Sequence, residues 1–199
     1  MMLTEVTAVP EAALPIAAMK EHLRLGSGFT DDGLQDTLVA AYLKAAIAVI
    51  EGRTGKALLS RKFLLRLDDW RAEKSGQSLP VAPVLSMDSI ALVSASEERT
   101  VLPASSWRLI PDLSRPRIAS ASALPAVPTG GWVEVQFDAG FGPSWSDVPA
   151  DLGQAVLLLA AEFYEHRHDG GRVSSALPRT VQSLIQRWRT VRVLGGGAV

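Results

Sequence analysis

The 199-residue chain has no cysteine, three histidines and almost no net charge: 20 basic against 21 acidic residues leave −1. Each scarcity excludes something. Without cysteine there is no disulfide scaffold, thiolate zinc site, iron–sulfur cluster or cysteine nucleophile. Three histidines leave little for a histidine-rich metal centre. A near-neutral balance argues against a protein whose whole surface holds nucleic acid. The longest strongly apolar run, Ala155 to Ala161, is far short of the roughly 20 residues a membrane span needs. Met1 to Pro15 carries two glutamates and no lysine or arginine, unlike the basic start of a secretory signal. No membrane partner and an intracellular protein are the expectations. The length is that of one large or two small domains, enough to bury about 70% of the unfolded surface.

Charge is present, but segregated. Residues 1–60 sum to −2, residues 61–140 to zero, residues 141–165 to −4 and residues 166–199 to +5. Such an arginine-rich end is either solvated or a point of attachment to something acidic.

Helices are expected at both ends. The first runs from about Ile16 to Leu25, stopped by Gly26. The second runs from about Asp32 to Arg53, with N-caps available at Thr30, Asp31 and Asp32. Its residues Leu34, Leu38, Ala41, Tyr42, Ala45, Val49 and Ile50 recur at three-and-four spacing, and Thr54-Gly55 ends it. Pro149 suits a first helical position and opens a helix to about His166. Leu152, Val156, Leu159 and Phe163 form one face of it, yet Leu157, Leu158 and Ala160 cover much of the rest. A helix apolar nearly all round is central or packed on another subunit. Pro178 begins a last helix to about Val191, with Arg187, Arg189 and Arg192 beside an apolar stripe. Gly195 to Gly197 then make a flexible tail.

The middle alternates instead. Phe63 to Leu67, Ser89 to Ser94, Arg99 to Leu102, Trp107 to Ile110 and Trp132 to Phe137 read as short strands. Seven prolines between positions 80 and 128 favour short strands over a central parallel sheet. Ser120 to Gly131 is a loop. The expected fold is mainly α with an inserted antiparallel β block, an α+β arrangement. In it residues 1–60 and 148–192 form a helical bundle, 61–147 the β block and 193–199 the tail.

Catalytic signals are sparse. His166 and His168 in Glu165-His166-Arg167-His168 are two apart, so on a helix they diverge; cations at a helix C-terminus explain them. Capping accounts for Asp31-Asp32 and a turn for Asp68-Asp69. No nucleophile elbow, phosphate loop or dinucleotide fingerprint is found. Packing fits Trp70, Trp107, Trp132, Trp145 and Trp188 better than base stacking. No catalytic residue, cofactor or metal site is expected.

An ordered set of motifs points elsewhere. Residues 18–25 read AMKEHLRL; Asp31-Asp32 and the alanine-rich helix follow. Glu51-Gly52-Arg53-Thr54-Gly55-Lys56-Ala57-Leu58 comes next, then Leu67-Asp68-Asp69-Trp70. Residues 135–142 read VQFDAGFG, Val148 to Leu152 open a helix ending in Phe163 to Arg167, and Leu177-Pro178 leads into the last. Over roughly residues 10–192 this resembles the head–tail connector (adaptor) proteins of long-tailed bacteriophages and gene transfer agents. The octad at 51–58 is close to that family's E-x-x-T-G-R-A-L, with Lys56 in place of the usual arginine.

The resemblance implies a structural virion part rather than an enzyme. It would be a homo-oligomeric ring, commonly of twelve copies, in the particle neck under the portal protein. The ring extends the DNA channel, passes DNA without specific binding and presents a surface to the next neck component, the stopper. Assembly takes place in the bacterial cytoplasm. The portal interface is then expected at Arg179, Arg187, Trp188, Arg189, Arg192, Val193, Leu194 and Val199. The subunit interface is expected at Leu157, Leu158, Ala161, Tyr164 and Tyr42, because a head-to-tail ring needs two sticky faces. The rival reading is a nucleic-acid-binding module using the basic C-terminal helix.

Overall fold

Alternation along the middle of the chain builds more sheet than the sequence reading allows. A computed structural model describes residues 1–25, 35–71, 76–120, 124–167 and 177–189. Among them are eight strands: β1 (Met2–Glu5), β2 (Arg61–Leu67), β3 (Gln77–Ser78), β4 (Val84–Val93), β5 (Arg99–Val101), β6 (Trp107–Ile110), β7 (Arg117–Ser120) and β8 (Trp132–Ala139). Four α-helices accompany them: α1 (Ile16–His22), α2 (Asp36–Thr54), α3 (Ala150–Glu165) and α4 (Arg179–Ile185), the last followed by a 3₁₀ turn over Gln186–Trp188.

The strands form a five-stranded sheet in the order β1-β2-β8-β4-β5 and a three-stranded sheet in the order β3-β7-β6, every pairing antiparallel. This overturns the expectation of a mainly-α helical bundle with an inserted block. The two sheets have a core of their own, built from Phe63, Leu65 and Leu67 on β2, Val133, Val135 and Phe137 on β8, and Ile90 and Ile118. Sheet also reaches outside the expected block, because β1 comes from the N-terminal residues and pairs Leu3 with Leu65.

The helices have a separate core. Met19 from α1, Leu43, Ile47 and Ile50 from α2, Leu152, Val156 and Leu159 from α3, and Val181 and Ile185 from α4 meet there. The middle helix is α3, which packs on both α2 and α4, while α2 and α4 barely meet. The all-round apolar character of α3 therefore has an explanation inside the chain.

The connection between α2 and β2 spans both cores: Ala57 belongs to the sheet's, Leu58 and Leu59 to the helices'. Gly55 ends α2 in the left-handed region at φ 67°, the geometry of a glycine C-cap. Gly140 has φ 142°, and a β-carbon there would come within 2.4 Å of the Ser60 backbone. The glycine turn after β8 is thus where two backbones run together.

Boundaries shift in detail. Pro149 is the N-cap of α3 rather than its first residue. The last helix ends at Ile185 and passes into the 3₁₀ turn. Thr30, Asp31, Asp32, His168, Arg192, Val193, Leu194 and Val199 lie outside the described residues.

Candidate assembly surfaces

The octad at 51–58 forms one side of a joint. Arg61, at the buried-facing start of β2, is 5% exposed. Its two terminal nitrogens donate to Glu51 at 3.0 and 2.6 Å and to Glu5 at 2.8 Å. Glu51 also accepts from the Leu58 amide at 2.7 Å. Burial works against the guanidinium charge, but the bonds to Glu51 and Glu5 outweigh it and hold the pKa above its ordinary value. One cation so ties the N-terminal strand, the end of α2 and the start of β2.

Within the same octad, Thr54 Oγ1 donates to the Ile50 carbonyl at 2.8 Å, tightening the last turn of α2. Lys56 is 1% exposed and its ammonium donates to the Leu113 carbonyl and, at 3.3 Å, to Ser114. Burial pushes its pKa down, and the charge of Asp112 compensates in part.

A second joint closes the other end of the helix layer. Asp151, in the first turn of α3, accepts from Trp188 Nε1 at 2.7 Å and from Arg187 Nε at 2.7 Å. Trp188 also packs edge-on against Phe141, with centroids 5.5 Å apart. Two residues expected to face the portal are therefore held on the chain itself, although the Arg187 side chain stays 70% exposed. Arg179 and Arg189 are exposed.

Of the residues expected at a subunit interface, Leu157, Leu158, Tyr42 and Tyr164 are half-buried and Ala161 is buried within the chain. Tyr42 meets Tyr164 edge-on at 6.0 Å, and the Arg167 guanidinium lies 4.2 Å from the Tyr164 ring. His166 pairs with Glu162 at 3.3 Å. All five tryptophans are half-buried.

The polar face of the five-stranded sheet has a different character. Lys62 bridges Asp88 at 2.6 Å and Asp138 at 3.1 Å. Arg99 pairs with Glu134 at 3.4 Å, and the Arg66 guanidinium stacks 3.6 Å from the Trp132 ring. The bonds to Asp88 and Asp138 raise the Lys62 pKa, with burial opposing them weakly. Each of these three cations has a partner on the face itself. Among the described residues no cluster of histidine and acidic residues could hold a metal ion.

Comparison with solved structures places this geometry. A chain in the neck of an empty gene transfer agent particle, treated with C6 symmetry, matches with a TM-score of 0.87 and 56% identity over 98% of this chain and 99% of that one. A chain in the virion of a native gene transfer agent particle matches at 0.85 and 56% identity over the same shares. One in the neck of a native particle, treated with C12 symmetry, matches at 0.82 and 53% identity, again over 98% and 99%. No family model and no curated protein matches the chain.

Proposed function

This chain belongs to the neck proteins of gene transfer agent particles, and from that premise we propose that it is the ring-forming adaptor between capsid and tail. Its role is that of a structural part of the particle neck. In the proposed ring, twelve copies lie under the portal, prolong the DNA channel and offer their far side to the next neck component. The observation that carries the reading is the near-complete, two-way overlap with neck chains at 53–56% identity. Six-fold symmetry is contained in twelve-fold symmetry, so a twelve-copy ring accords with both symmetries applied to the relatives.

The sheet's polar face supports the channel part of the proposal. DNA must slide, so a conduit should not offer free cations to its phosphates. On that face Lys62, Arg66 and Arg99 are occupied by neighbours within the chain. Attachment to the portal falls to Arg189 and to Arg192, which follows it in sequence.

Averaged images of particle necks test the proposal. Particles made without this chain should be heads lacking tails, and restored protein should return a twelve-fold layer under the portal. Normally tailed particles in its absence would refute it.

A further inference from the structure

We infer that the hairpin of β6 and β7 is the arm by which this chain holds the next neck component, and that it fits an apolar socket rimmed by carboxylates on that component. This rests on the adaptor reading above and adds where the contact is made. Register places Arg108, Ile110, Arg117 and Ala119 together on the outer face of the hairpin, because Arg108 pairs with Ala119 and Ile110 with Arg117. Trp107, Leu109 and Ile118 take the other face and pack into the sheets' core. The connection between the strands, Pro111 to Arg115, is exposed at every residue. Leu113 at its tip is 59% exposed, more than any other large apolar side chain among the described residues.

That tip is held in one shape from within. The buried ammonium of Lys56 donates to the Leu113 carbonyl and, at 3.3 Å, to Ser114 Oγ. The Asp112 carboxylate accepts from the amides of Ser114 and Arg115, both at 2.7 Å. Pro111 and Pro116 fix φ on either side. Burying a cation is costly, and this one secures an exposed apolar loop. A loop fixed in advance loses less entropy when it binds.

The arginines are an independent observation. Among the described residues neither Arg108 nor Arg117 has a side-chain hydrogen bond or an ion pair, and Arg117 Nε is buried with no acceptor. Buried donors nearly always have a partner. Asp112, whose charge both Lys56 and Arg117 feel, is already taken up by the two amides of its own loop. Residues 107–120 carry three arginines against that single aspartate, +2. Carboxylates from outside would complete these guanidinium groups.

The occupant that fits is a protein. DNA offers phosphates to the arginines but no socket to Leu113, whereas an apolar centre with a polar rim is the anatomy of a protein interface. The portal is met, in the reading above, by residues that follow α4, and α4 belongs to the helices' core. The hairpin belongs to the separate core of the sheets. The two attachments therefore sit on two different bodies of the chain, and the hairpin is left for the component that comes after the ring.

The test uses full-length chain in assembling particles. A photo-cross-linking residue, p-benzoyl-phenylalanine, is introduced at Leu113, with a control at Gln136 on the polar face of the five-stranded sheet. The expected product joins position 113 to a neck protein other than this chain and the portal; Gln136 yields no link to protein. A product of twice the mass of the 21.3 kDa chain, a link to the portal or to DNA, or no link in intact particles overturns the inference. Leu113→Asp and Arg108→Glu should each keep the parental thermal midpoint and stay on portal-bearing heads, yet those heads should lack tails. Normal tailing with either variant would overturn the inference as well. Parental chain absent from purified necks would refute the adaptor reading itself, whereas a ring present under the portal but linked elsewhere at position 113 refutes only the hairpin assignment.

Discussion

The polar face of the five-stranded sheet and the outer face of the β6–β7 hairpin both carry cations, yet they are built on opposite plans. The sheet face sets each cation against a partner: Lys62 between Asp88 and Asp138, Arg99 beside Glu134, Arg66 over Trp132. On the hairpin Arg108 and Arg117 have no such partner among the described residues. Charges satisfied in place suit a surface that something slides past. Cations without partners beside an exposed leucine suit a surface that something covers. The net charge of −1 conceals both arrangements.

The largest expected effect separates the joints from either face. Arg61→Ala leaves the carboxylate of Glu51, 12% exposed, without its cation, and breaking such a buried pair costs about 3–5 kcal/mol. Urea unfolding should show this as a lower midpoint at unchanged slope. Next comes Asp151→Ala, which strands the half-buried indole N–H of Trp188 and frees Arg187. A loss of about 1–3 kcal/mol is expected, with faster amide exchange in α4 than in β8.

A pH-dependent effect follows from Lys56. Its pKa is depressed in the folded chain by burial, so the unfolded state binds more protons between that pKa and the ordinary 10.5. Stability must then rise with pH through this window, as the buried ammonium sheds its charge. Lys56→Met should lack that rise, and parallel pH profiles of the two proteins would contradict it. The smallest effect belongs to the sheet face. Lys62→Gln, at a surface ion pair whose lysine is 48% exposed, should leave the thermal midpoint almost unchanged in moderate salt.

Legibility in the sequence followed periodicity. The spans of α2 and α3 are close to those read from three-and-four spacing, because each buries a continuous stripe. The sheet was harder. The first half of β4 was missed because register shifts between Val84 and Ser86, and again between Met87 and Ser89, destroy the alternation that marks a strand. β1 has four residues and β3 two, too few for a period to register. With them went the extent of sheet, and a mainly-α fold was the wrong expectation.

The joints were only half legible. Arg61 lies in phase with Phe63, Leu65 and Leu67, and an arginine on the buried side of a strand pattern was the missed signal. Nothing in the sequence marks the bond that Trp188 and Arg187 share, because Asp151, their common acceptor, is far away in sequence. The apolar surround of α3 was visible, but which neighbours cover it depends on the order of helices in the layer, which periodicity does not encode.

A reconstruction of the particle neck without imposed symmetry tests the central claim most directly. The account predicts twelve copies of this chain in one ring beneath the portal. In each, the face bearing Lys62, Arg66 and Arg99 should be free of protein. A neck without this chain, or a ring in which that face is covered by protein, would contradict it.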